Sequence, residues 1–209
     1  MLFQPDLFLC KLNKMTSYWG PLGWMTLHSA SMLYSEKPSD AERILIERFV
    51  DLFGNTISCF HCKTHFLAER IKYVRIYPDY LNSKKDFMLF VFRIHNIVNK
   101  RLDKPILQTV EDSITVLKNA NSYSSLESMR NAYLSYLQSN WGKEFYAEAL
   151  AIRRKVQELI KINNEYLNPR EIDWSYKFED NVLPPETSES KVKPLQRKIA
   201  GFKNGKLIF

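Results

Sequence analysis

Ser58-Cys59-Phe60-His61-Cys62-Lys63-Thr64-His65-Phe66 holds two of the three cysteines in this chain. The helical run from Cys59 to Tyr77, stopped by Pro78, places the Cys59-x-x-Cys62 pair at the opening of a helix. A thiol at that end is acidified by the helix dipole and by backbone N–H groups that lack partners. His61 and Lys63 add positive charge beside the sulfurs. Thiolate is the species that performs disulfide exchange, so the pair suits redox chemistry. Two other readings stay open. Zinc needs four ligands, and Cys59, Cys62 and His65 have suitable local spacing, with His28, His61 or His95 to complete the set. No second Cys-x-x-Cys or His-x-x-x-His pair supports that assignment. The pair could also be incidental.

The surroundings of this stretch are helical. A first helix is expected from Pro21, whose missing N–H suits a first position, with Trp24, Leu27, His28, Ser31 and Tyr34 on one face. A second starts at Ser39 with Glu42 as a capping box, and Gly54-Asn55 ends it. Ser83 caps a fourth helix that Pro105 terminates, and Thr109 caps a shorter one over Val110–Lys118. Two amphipathic helices follow, about Leu126–Ser139 and Lys143–Leu167, with Trp141-Gly142 between them. After Asn168-Pro169 the periodicity fades, and Pro184-Pro185-Glu186-Thr187 reads as linker. The domains expected are an extension (1–17), a core (18–120), a C-terminal helical region (121–183) and a basic tail (184–209).

Composition narrows the function. The chain has 209 residues, 45% of them hydrophobic, which suffices for a core without disulfide staples. Six glycines, no G-x-G-x-x-G and no G-x-x-x-x-G-K-[ST] exclude the glycine-rich phosphate cradles. Thirteen Phe, eleven Tyr and four Trp mostly fill a helical core, and such cores also enclose flat ligands. Of the net charge of +7, the last 23 residues supply six basic side chains against one acidic. That tail suits nucleic acid or an acidic partner, but solvated disorder is the plainer reading. No run approaches the ~20 apolar residues of a membrane span. Met1–Lys14 lacks the basic region of a secretory signal, and Met15 would serve as an alternative start that removes Cys10.

A second chemical stretch is Arg93-Ile94-His95-Asn96-Ile97-Val98-Asn99-Lys100-Arg101-Leu102-Asp103-Lys104-Pro105. His95, Asn99 and Leu102 share a helix face, which can stack an imidazole on a ring and offer an amide to ribose or phosphate oxygens. Taken alone this is a polar helix end. Taken together with Trp24-x-x-x-His28 and Cys59-x-x-Cys62-x-x-His65-Phe66, it resembles the ERV/ALR family of FAD-linked sulfhydryl oxidases over about Tyr18 to Lys118.

The resemblance implies an all-α fold: a four-helix bundle plus a short fifth helix that holds FAD non-covalently, commonly as a homodimer. Residues beyond 120 form an additional C-terminal helical region. Carried onto this chain, Cys59 is the interchange thiol that meets substrate, and Cys62 is the thiol next to the flavin. Trp24, His28, Cys62, His95, Asn96, Asn99, Leu102 and Lys104 are the cofactor-binding residues. The reaction implied is oxidation of protein dithiols to disulfides with O2 reduced to H2O2. The chain departs from the family in having no cysteine after Cys62, so the further structural disulfide of many members is absent. Cys10 alone cannot form an intrachain shuttle pair; it is inert or bridges two subunits. The compact core is similar to the branch encoded by large cytoplasmic DNA viruses, which implies action in the cytoplasm, a virus factory or the virion.

Overall fold

The computed structural model describes residues 5–144, 147–178, 201–203 and 206–208. Seven α-helices are found among them: α1 (Pro5–Leu33), α2 (Asp40–Thr56), α3 (Phe60–Ile76), α4 (Lys84–Arg101), α5 (Val110–Tyr123), α6 (Leu126–Gly142) and α7 (Ala147–Ile162). A π-helical turn, Asn163–Leu167, continues α7. The described residues are all-α apart from a small antiparallel hairpin in the tail, β1 (Gly201–Lys203) and β2 (Lys206–Ile208), with Phe202 opposite Leu207. The linker at Pro184–Thr187 lies outside the described residues.

The caps fall where the side chains predict. The Ser39 hydroxyl accepts from the Glu42 amide, Ser83 from Asp86, Thr109 from Asp112 and Ser125 from Ser128. Only at Thr109 is the bond reciprocated by the carboxylate as a capping box. The expected box at Ser39 is not closed, because the Glu42 carboxylate turns to the Ser35 hydroxyl (2.6 Å), Tyr166 and Arg170. Two half-buried hydroxyls and a guanidinium compete successfully with an exposed backbone amide.

Several helix ends differ from expectation, among them that of α5, which runs to Tyr123 rather than Lys118 and so crosses the expected boundary at 120/121. Pro21 lies inside α1, which runs unbroken from residue 5 across the boundary at 17/18. Trp19 is buried on the near side of it and Leu27, Ala30 and Tyr34 on the far side, so tertiary packing ties down both turns. Gly54 does not end α2. A Cβ there would stand 2.8 Å from Leu67 Cδ2 and 2.9 Å from Phe66 Cδ1, so this glycine lies at a close approach of α3 to α2. Trp141-Gly142 is not a connector but the last turn of α6.

The bundle of α1 to α4 is built on Leu27, Tyr34, Phe49, Leu52, Phe87, Phe90 and Ile94, all essentially inaccessible. The C-terminal region, whose placement the sequence leaves undecided, packs on the bundle. α6 lies against α1, and α7 lies against α2 and α6. Tyr133, Leu137, Trp141, Val156 and Leu159 enter the same core cluster as the bundle. Arg130 is 3% exposed and joins the layers, donating to Asn163 Oδ1 (3.1 Å), Asn168 Oδ1 (3.0 Å) and Ser29 Oγ (3.4 Å). A second cluster on the far side unites Met32, Met88, Phe92, Ile114 and Leu117 with Phe178, so α5 and the segment after Asn168 cover α4 there.

Candidate functional site

Cys59 is the N-cap of α3 and Phe60 its first residue. Only Ile57 and Ser58 separate Cys59 from the last residue of α2, Thr56. Thr56 and Ile57 are buried, which leaves Cys59 little freedom. Its sulfur accepts from the Cys62 amide at 3.2 Å, so it occupies the place that a Ser or Asp oxygen would take at an ordinary N-cap. No acidic residue lies in the first turn of α3 to oppose negative charge on sulfur. Cys59 and Cys62 are joined as a disulfide. Both are half-buried, whereas Phe60 between them is 71% exposed and faces solvent with His61.

The second block assembles on the facing helices. The Trp24 indole stacks on the His95 imidazole at 4.0 Å between centroids and 12° between planes. His28 Nε2 lies 2.9 Å from His95 Nδ1. Burial, and then the neighbouring His95, push the His28 pKa down to about 3. Burial, and then the Lys104 ammonium, push His95 down to about 4. Both rings are therefore neutral near pH 7, and one of the two nitrogens in contact carries the single proton between them.

Asn99 is buried on the same face of α4, 8% exposed. Asn96 is used differently. Its Nδ2 donates to the Leu107 carbonyl (2.8 Å) and its Oδ1 accepts from the Leu107 amide (3.0 Å), which clamps the loop after α4. That loop starts with Asp103 in the left-handed conformation, φ 53°. The Asp103 amide bonds to Lys100 O and the Lys104 amide to Asn99 O, which is the Schellman closure. It places Lys104 beside the His95 ring. Leu102, at the C-cap, is 48% exposed.

The residues fit a flat, polar-edged cofactor. They provide a neutral ring stack, the Asn99 amide on the same helix and the Lys104 ammonium near the His95 ring, with Trp24, Cys59 and Cys62 packed on one core. They do not fit zinc. Cys59 and Cys62 are bonded to each other, His28 and His95 are paired, and His61 and His65 are exposed; no group of three ligands occurs among the described residues. A cleft of about 500 Å3 between the end of α3 and the start of α4, lined by Tyr73, Tyr77, Leu89 and Arg93, shares no residue with this site.

The family model for the Erv1/Alr family matches residues 22–119. An "FAD-linked sulfhydryl oxidase" of African swine fever virus (isolate Tick/Malawi/Lil 20-1/1983) is 33% identical over 94 residues, 45% of this chain and 76% of the relative. The chain belongs to the Erv1/Alr family. More distant Erv1/Alr relatives occur in Saccharomyces cerevisiae (strain ATCC 204508 / S288c). The "Mitochondrial FAD-linked sulfhydryl oxidase ERV1" is 29% identical over 86 residues, 41% of this chain and 43% of that one. The "FAD-linked sulfhydryl oxidase ERV2" is 27% identical over 100 residues, 48% and 47%. No solved structure matches the chain. No helix among the described residues is long and apolar enough to cross a membrane.

The matched segment stops before α6, and α6 supplies what sequence reading missed. The Trp141 indole N–H donates to the Thr56 carbonyl at 2.9 Å, and the Tyr136 hydroxyl meets Ser58 Oγ at 3.0 Å. Nothing in the spacing signals these contacts, because they join residues 85 and 78 positions apart.

Proposed function

We propose that this chain is an FAD-linked sulfhydryl oxidase that forms disulfides in protein substrates and passes the electrons to O2, giving H2O2. The observation that carries the proposal is the Cys59–Cys62 disulfide at the start of α3, sharing a core with the Trp24–His95 stack. A substrate thiolate attacks Cys59 Sγ, the Cys59–Cys62 bond breaks, and Cys62 leaves as thiolate. A second substrate thiol then attacks the mixed disulfide, the substrate leaves oxidised, and the Cys59 thiolate is released to the Cys62 N–H at the helix start. FAD, when bound, takes two electrons from the reduced pair and hands them to O2.

Trp24, His28, Cys62, His95, Asn99, Leu102 and Lys104 hold the cofactor in this reading. Asn96 contributes by fixing the loop that carries Lys104. The neutral histidines supply ring surface and N–H donors rather than charge. With no shuttle pair in the sequence, the substrate dithiol meets Cys59 directly. The proposal includes a homodimer, for which sedimentation velocity would give twice 24.7 kDa. It also includes action in the cytoplasm, a virus factory or a virion, as in the viral branch it resembles.

The test is a visible spectrum of the purified protein before and after dithiothreitol under air. A flavin band that bleaches and recovers while oxygen is consumed is expected. Cys59→Ser and Cys62→Ser should each abolish oxygen-dependent turnover. A folded protein that stays colourless in excess FAD would end the proposal.

A further inference from the structure

Thr56, the last residue of α2, and the two-residue connector Ile57–Ser58 lead into the redox pair, and two side chains of α6 grip this stretch. Trp141 is 7% exposed and bonds to the carbonyl of Thr56. Tyr136 meets the hydroxyl of Ser58, the residue next to Cys59, and its ring packs on Tyr18 of α1 at 5.8 Å. The end of α6 is itself secured from α7. Arg153 Nε donates to the Trp141 carbonyl at 2.8 Å, and its Nη2 to the carbonyls of Gly142 (3.3 Å) and Glu144. Ile57, Cys59, Cys62, Tyr136 and Trp141 all pack on one core. The sulfur of Cys59 in turn depends on the connector for its place at the N-cap, 3.2 Å from the Cys62 amide.

We propose that α6, which lies outside the family-matched segment, is part of the redox site, and that Tyr136 and Trp141 are positioning residues that hold Cys59 at the N-cap of α3. The physical link is the charge that appears on reduction. In the disulfide, Cys59 Sγ is a weak acceptor; in the dithiol it becomes a thiolate, and the Cys62 N–H and the helix N-terminus stabilise it. A site that stabilises the reduced form is the stronger oxidant. Releasing the connector lets Cys59 drift from the N-cap. The thiolate is then less stabilised, and the pair shifts toward the disulfide.

This inference rests on the redox reading of Cys59–Cys62 but not on flavin turnover. The experiment equilibrates the full-length chain with glutathione buffers, in which the disulfide plus two glutathione thiols gives the dithiol plus glutathione disulfide. Thiol alkylation and intact mass then count the reduced fraction. The pH dependence of alkylation of the reduced protein reads the Cys59 thiolate.

Tyr136→Phe and Ser58→Ala remove the same contact. Each should move the equilibrium about threefold toward disulfide, roughly 14 mV at 30 mV per tenfold, and the double variant should move it no further than either alone. Trp141→Phe should move it further and raise the alkylation pKa. Tyr136→Phe loses one hydroxyl from a half-buried site, so it tests the idea even if the buried Trp141 variant unfolds. Folded variants within experimental error of wild type in both readouts would overturn the role of α6. A wild-type pair that never exchanges with glutathione would instead sink the redox reading itself.

Discussion

The same substitution, glycine to alanine, should have opposite signs at two helical positions, and the structure sets which is which. In a helix interior, alanine is favoured over glycine by about 1 kcal/mol. At Gly20 in α1 a Cβ meets nothing within 4 Å beyond its chain neighbours and its own helix backbone, but the Cδ of Pro21 crowds a Cβ on the residue before it, so Gly20→Ala should stabilise by no more than about 0.5 kcal/mol. At Gly54 in α2 the Cβ would stand 2.8 Å from Leu67 Cδ2 and 2.9 Å from Phe66 Cδ1. The Leu67 tip can swing aside. The Phe66 ring cannot, because it is 3% exposed and packs on Phe53 at 5.4 Å. Overpacking of this kind costs about 1–3 kcal/mol. Against a propensity gain of about 1 kcal/mol, the net expectation is a loss of about 1 kcal/mol. For a chain of this size that is a fall in Tm of about 2–4 °C. Gly23, whose Cβ would lie 3.3 Å from Tyr133 Cε2, should fall between the two. Urea unfolding of the three single variants, with unchanged m-values, would rank them Gly20→Ala, Gly23→Ala, Gly54→Ala from most to least stable. A Gly54→Ala protein as stable as wild type or more so would refute the close approach of α2 and α3. Phe66 follows Cys62 by one turn, so the Gly54→Ala variant should also alter the rate of thiol exchange at Cys59.

Three further outcomes follow from the geometry. His28 and His95 have folded pKa values of about 3 and about 4 against 6.5 unfolded, so the unfolded chain binds more protons in that interval. Their contribution is full above about pH 6.5 and is lost as pH falls toward 4; the urea midpoint should drop over that range, and His28→Gln should flatten the drop. Arg130→Ala should cost about 2–4 kcal/mol, because it strands buried partners on α1 and the π-helical turn; a loss under 0.5 kcal/mol in denaturant melts would contradict that role. Asp103→Gly should raise stability by about 0.5–1 kcal/mol, since a left-handed residue without a Cβ closes the end of α4 more cheaply; a lower Tm would show that the Asp103 side chain does something else.

Some features are readable without coordinates because their cause is local. Ser39, Ser83 and Thr109 cap helices because a hydroxyl one turn before an amide bonds to it in any context. Cys59 at the start of α3 is legible for the same reason, and so is the shared face of His95 and Asn99, which 3.6-residue periodicity guarantees. The helix ends at Pro21 and Gly54 are misread because the deciding contacts come from elsewhere. Both residues have low helix propensity, and tertiary packing overrides it. Asn96 looks like a ligand-binding amide next to His95, yet both ends of its side chain are committed to Leu107, eleven residues on.

By itself the sequence determined that the chain is helical, where most helices begin, and which two blocks carry chemistry, since periodicity, caps and the cysteine pair act over one or two turns. Only the tertiary structure decided that Trp24 and His95 stack, that His28 is held neutral, and that α6 and α7 fold back over α1 and α2, with α6 gripping the stretch before Cys59. Those outcomes depend on burial and on contacts between residues dozens of positions apart, and no short-range pattern records which surfaces a folded chain brings together.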